Sequence, residues 1–185
     1  MGVIGTIAGQ LDKLLIFHFI GTVELAIYSI AIAPIEQIKA TFKGVATLVL
    51  PKYSTQSASQ IHKGLWVKMF YTGGLLLVIA LIYIVSAPYL FALAFPKYQT
   101  SVLLSQIFSL SLVTSMAIFP ASALQALQAK KELYKLSISV AVLQITFLAI
   151  GVYFFGILGV VFARIITKVF ESSLTTILFK SITKK

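Results

Sequence analysis

MFYTGGLLLVIALIYIVSAPYLFALAFP, running from Met69 to Pro96, contains no charged residue. An α-helix rises about 1.5 Å per residue, so about 20 apolar residues cross the roughly 30 Å of hydrocarbon in a bilayer. This stretch exceeds that length, and Tyr98 to Ala129 and Leu136 to Ala163 are equally free of charge. The chain is 59% hydrophobic and 11% charged, with a mean hydropathy of +1.00. A soluble domain averages about 25% charged residues. These values predict an all-α integral membrane protein. A β-barrel would need alternating segments of about ten residues, which are absent. A soluble bundle would need a polar face on every helix, and the third and fifth predicted helices have almost none.

Breaks in the apolar pattern predict six transmembrane helices. The first runs from about Val3 to Ile20 and stops at Gly21-Thr22; the second runs from about Val23 to Leu50 and stops at Pro51. Pro51 to Lys63 is the most polar stretch and reads as a loop. The remaining helices are expected at about Gly64 to Phe95, Thr100 to Ala129, Leu133 to Tyr153 and Ile157 to Ser181, with Phe155 to Gly159 as the last turn. Pro34, Pro88, Pro120 and Gly73-Gly74 fall inside these spans, where neighbouring helices can satisfy freed backbone groups. No hydrophilic stretch is long enough for a separate soluble unit, so residues 1–185 form one domain. The start carries no basic leader and has Asp12-Lys13 within its apolar run, which predicts a retained helix.

The lysines segregate. Lys52, Lys63 and Lys68 follow the second helix, Lys130, Lys131 and Lys135 the fourth, and Lys180, Lys184 and Lys185 the sixth, whereas the opposite turns hold only Lys97. By the positive-inside rule the three clusters face the cytoplasm, which puts both termini on that side of the plasma membrane. Trp66, Tyr71, Tyr83, Tyr89, Tyr98, Tyr134 and Tyr153 lie mostly near span ends and read as interfacial anchors.

Charge inside a span costs about 2.5–3.5 kcal/mol on insertion scales and usually faces a bundle interior or a hydrated cavity. Ser29, Glu36 and Lys43 share one face of the second helix, with Lys39 beside Glu36. Arg164, Lys168, Glu171 and Thr175 share a face of the sixth. Ser111, Ser115, Ser122 and Gln125 form a milder stripe on the fourth, and the first contributes Gln10, Asp12, Lys13 and His18. Such faces can wall a common wet cavity. They can also be paired charges that join helices, with Lys43 and Lys168 snorkelling to the surface.

Other chemistries find little footing. The formal charge of +10 is mostly loop lysine suited to anionic lipid, so nucleic acid is not an expected partner. No cysteine is present, His18 and His62 have no ligand-spaced partner, and neither a nucleophile elbow nor a phosphate-binding glycine loop occurs. No metal, no cofactor and no enzyme activity are expected. An enzyme acting on polyprenyl lipids would need clustered acids, and the five here are scattered.

The order GQLDKLLIFHFIGTVELAIYSIA, LVLPKYS, FPKYQTSVLLSQIFSLSLVTSMAIFPASALQALQAKKELYKLSISVAVLQ and FFGILGVVFARIITKVFESSL resembles the C-terminal half of polysaccharide-biosynthesis flippases. These are lipid-linked oligosaccharide exporters of the multidrug, oligosaccharidyl-lipid and polysaccharide superfamily. Gln10, Asp12, Gly21, Tyr28, Pro51, Gln125, Gln128, Gly156, Gly159 and the pair Lys130-Lys131 carry the resemblance. It implies one six-helix half of a two-bundle transporter that flips a polyprenyl-pyrophosphate-linked glycan by alternating access. The missing wall would be an N-terminal half or a second copy. By their chemistry, Lys39, Lys43, Arg164 and Lys168 would bind the pyrophosphate, and Asp12, Glu36 and Glu171 would serve as counter-charges or sites for a coupling proton or sodium ion. A cation-coupled extruder of organic cations and a non-transporting scaffold of glycan assembly are the alternatives.

Overall fold

The computed structural model describes residues 10–56 and 58–183, and among them the chain is helical with no strand. The elements are α1 (Leu11–Phe19), α2 (Thr22–Ser54), α3 (Ala58–Ala94), a 3-10 turn (Pro96–Tyr98), α4 (Ser101–Ser109), a 3-10 segment (Leu110–Ala117), α5 (Ile118–Ala126) and α6 (Lys130–Thr183). α4, the 3-10 segment and α5 run on without a break as the expected fourth helix, whereas the expected fifth and sixth are one stretch, α6, so the expected six helices become five helical stretches among the described residues. Three of them, Gln60–Ala94, Ser101–Ala126 and Lys130–Thr183, are long and apolar enough to cross a membrane. The part of the expected first helix before Gln10, Lys184, Lys185 and the side chain of Lys63 lie outside the described residues.

The division expected between the last two helices is one residue, Gly156, at φ 56° and ψ −135° within α6. A left-handed backbone there suits glycine, which has no Cβ to collide with the carbonyl. The arms on either side fold back on each other. A Cβ built on Gly151 would lie 2.6 Å from the carbonyl oxygen of Gly159, and one built on Gly159 would press into the backbone of Gly151. Eight residues of straight helix span about 12 Å, so this contact requires a hairpin.

The polar stretch Pro51 to Lys63 is not the loop its composition suggests. The second helix continues through Pro51 to Ser54, and α3 begins at Ala58. Ser54 and Thr55 donate their hydroxyls to the carbonyls of Pro51 and Lys52, at 2.7 and 3.1 Å, so these side chains serve the helix end. The Leu110–Ala117 segment runs eight residues, where 3-10 runs longer than about four are uncommon. Ser111 and Thr114 bond back to carbonyls three residues earlier, and Pro120 removes a donor one turn ahead. Local chemistry thus favours the tighter winding.

In α3 the residues Ile61, Leu65, Met69, Leu76, Ala80, Tyr83, Ala87 and Phe91 are buried at helical spacing, while Phe70, Val85, Tyr89 and Leu93 are exposed. A helix apolar on all sides yet buried along one stripe needs an apolar solvent for the rest. Two buried clusters lie along the bundle. One joins Ile16, Tyr28, Ile35, Ala87, Leu104, Phe108, Val152 and Val160; the other joins Tyr53, Ile61, Met69, Leu124 and Phe179. The second gathers the end of α2, the start of α3, the end of α5 and both ends of α6. Successive arms therefore alternate in direction, and Lys52, Lys68, Lys130 and Lys180 collect at one end by their nearness in sequence to that cluster.

Candidate functional site

A charged group lies at the edge of the first apolar cluster. On α2, Glu36 falls between Ile35 and Ile38, and on α6, Arg164 falls between Ala163 and Ile165, all four of these apolar residues on that cluster. Lys39, Lys168 and Glu171 follow on the way to Val45 and Leu174, which pack on the second cluster.

Asp12 on α1 is fully buried and sits at the centre of the group's inner side. Its Oδ2 accepts a hydrogen bond from the Tyr28 hydroxyl at 2.5 Å and another from Arg164 Nη1 at 3.0 Å. The same Arg164 nitrogen donates to the Tyr28 oxygen at 3.2 Å. The other Asp12 oxygen, Oδ1, has no hydrogen-bond partner among the described residues. Three helical stretches far apart in sequence thus meet on one carboxylate. Burying an ion pair is tolerated only where geometry and further hydrogen bonds offset lost hydration, and Tyr28 supplies one such bond.

The outer side of the group is looser. Arg164 turns its second nitrogen, Nη2, toward Glu36 Oε1 at 3.7 Å, and Lys39 Nζ reaches the same oxygen at 3.5 Å. Lys39 and Arg164 both lie over the face of Phe108, at 4.2 and 5.4 Å from the ring centroid. Their side chains are 8% and 13% exposed, whereas Glu36 is 34% exposed and forms the rim. Cations over an aromatic face gain from the ring quadrupole, which holds both on one side of Phe108.

Four of the seven residues singled out in the sequence, Asp12, Glu36, Lys39 and Arg164, are joined directly. Lys168 and Glu171 form their own half-exposed pair at 2.7 Å, one turn further along α6. Lys43 stands apart and exposed, because α2 buries no residue between Lys39 and Tyr53. The serine stripe is only partly inward: Ser111 and Ser122 are buried and Gln125 is exposed. Ser101 and Ser105 are fully buried members that the stripe omitted, the first donating to the Ile27 carbonyl at 2.9 Å. Tyr83, read as an anchor, is buried at mid-helix and shares a 2.6 Å hydrogen bond with Ser105.

Tyr28 and Phe108 were not picked as site residues. Tyr28, Ala31, Ile35 and Lys39 fall 3, 4 and 4 apart on the buried face of α2, so the Lys39 face was the available signal for Tyr28. For Phe108 nothing in the sequence separates it from other apolar residues. A cavity of about 590 Å³, lined by Trp66, Val67, Met69, Phe70, Tyr71 and Met116, opens on the surface of α3 and includes none of the seven. No family model, curated protein or solved structure matches the chain.

Proposed function

We propose that the chain is a membrane carrier half that moves a lipid-linked oligosaccharide or polysaccharide precursor from the cytoplasmic to the outer leaflet by alternating access. The observation that carries this reading is the meeting of Asp12, Glu36, Lys39 and Arg164 at the edge of the first buried cluster of a bundle with an apolar exterior. Ionised groups so placed mark substrate or ion pathways more often than packing. Lys39 and Arg164 supply cations for a pyrophosphate, and the guanidinium fork suits phosphate oxygens. Lys168 and Lys43, more exposed and nearer the lysine-bearing end, lead toward them. Asp12, whose Oδ1 has no partner among the described residues, is the acid best suited to a coupling proton or sodium ion; Glu36 and Glu171 are counter-charges.

In this reading the hairpin at Gly156 divides α6 into two spans, giving six, and the lysine-bearing end with both termini faces the cytoplasm of a plasma membrane. The unburied stretch of α2 around Lys43 faces the opposing wall, an N-terminal half or a second copy. The polyprenyl tail stays among membrane lipids, and the step involves no covalent chemistry.

The test is translocation of a fluorescent polyprenyl-pyrophosphate glycan in vesicles holding the chain and its co-expressed partner half. Lys39→Gln combined with Arg164→Gln is expected to cut the rate at least tenfold with the protein still folded and inserted. An unchanged rate sinks the cationic-site reading. The close Asp12–Tyr28–Arg164 contact favours a second reading, a non-transporting scaffold. In that case no translocation would occur with any partner half.

A further inference from the structure

One oxygen of Glu36 bridges two cations, which is how a phosphate oxygen would sit between the same groups. We infer that Glu36 is a built-in competitor: its carboxylate fills the place on Lys39 Nζ and Arg164 Nη2 that an incoming phosphate or pyrophosphate takes, and the ligand must drive it off. This rests on the reading that Lys39 and Arg164 hold the substrate's anion.

The geometry separates a fixed half of Arg164 from a free-moving half. Nη1 is committed to Asp12 at 3.0 Å and Tyr28 at 3.2 Å, both inside the bundle. Among the described residues Nη2 meets only the rim carboxylate, at 3.7 Å, and Lys39 meets that same oxygen at 3.5 Å. Charge-assisted N–H to carboxylate bonds settle at about 2.7–2.9 Å, so Glu36 is held loosely by both. At 34% exposure it lies at the open edge of the group, so it can leave without opening the buried contact of Asp12. Both cations also lie over the Phe108 ring, a contact that does not involve Glu36. A tethered group competes at an effective concentration in the millimolar range, enough to suppress weak anions while yielding to a ligand with two phosphates. Glu171 makes the comparison sharp: it is a carboxylate of the same charge on a neighbouring level, but it is paired at 2.7 Å with Lys168 and touches neither Lys39 nor Arg164.

The experiment is calorimetric titration of sodium pyrophosphate into the full chain, purified in neutral detergent at low salt. Wild type, Glu36→Gln, Glu36→Ala, Glu171→Gln, Lys39→Gln and the Glu36→Gln/Lys39→Gln double are compared after size exclusion confirms a single folded species. Glu36→Gln is expected to bind about tenfold or more tightly than wild type, Glu171→Gln to gain clearly less, and the double variant to lose the gain. Glu36→Ala gives the same answer if the glutamine variant does not fold. Equal binding by wild type and both Glu36 variants, with Lys39→Gln weaker, would overturn the competitor while leaving the anion site intact. A Glu171→Gln gain equal to that of Glu36→Gln would overturn it as a general charge effect. No binding by wild type or by either Glu36 variant would overturn both the competitor and the site.

Discussion

Replacing Arg164 with methionine keeps much of the side chain's length and removes its charge, so it isolates the ion pair on which three helical stretches converge. Asp12 is fully buried, and two donors meet its Oδ2: Tyr28 at 2.5 Å and Arg164 at 3.0 Å. Without the guanidinium the carboxylate keeps only the tyrosine, and its Oδ1 already has no partner among the described residues. Breaking a buried pair by removing one partner typically costs about 3–5 kcal/mol, because a charge is left uncompensated. For a chain of this length about 1 kcal/mol moves the midpoint by about 2–4 °C, so the unfolding temperature of Arg164→Met should fall by about 10 °C. Asp12→Asn in the same protein removes the stranded charge and should recover most of that loss. The assay is loss of the monodisperse size-exclusion peak on heating in detergent, for wild type, both single variants and the double. Should Arg164→Met melt with wild type, or should the double variant fall below it, the argument that this contact holds α1 to α6 would be wrong.

Gly159→Ala should destabilise the chain by about 1–3 kcal/mol in the same assay, since the new methyl group meets the Gly151 backbone and overpacks the hairpin. Tyr83→Phe should cost about 1 kcal/mol by leaving the buried Ser105 hydroxyl without its 2.6 Å partner, and Tyr83→Phe with Ser105→Ala should cost less than the two summed. Lys43→Gln should change stability by less than about 0.5 kcal/mol because the side chain is exposed with no buried neighbour on its stretch of α2. A large drop for Lys43→Gln would show that this face packs against something within the purified particle.

Uncharged runs in the sequence were enough to indicate long helices, because few other structures accept so many apolar residues in a row. Charges in the other helical stretches were equally visible, and Asp12, Glu36, Lys39 and Arg164 do meet. What sequence could not show is depth along the bundle. Lys43 shares the seven-residue spacing of Ser29 and Glu36, yet α2 fully buries no residue between Lys39 and Tyr53 and packs there through Val45 and Val49 on another face, so a face defined by spacing ceases to be a buried one. Composition also misled at Pro51 to Lys63, where serine and threonine hydroxyls close helix ends instead of extending a loop. Tyr28 was singled out only for the resemblance and not as a site residue, because its hydroxyl gains meaning only from Asp12, sixteen residues earlier and on another helix. The division of α6 was expected at the right glycines, but the backbone passes through it with one residue out of helical conformation.

The reversal at Gly156 leaves almost no material outside its two arms. An affinity tag, a protease site or a reporter cysteine placed there would split the glycine contact beneath it, so labelling of that end is better directed to the turn around Lys97.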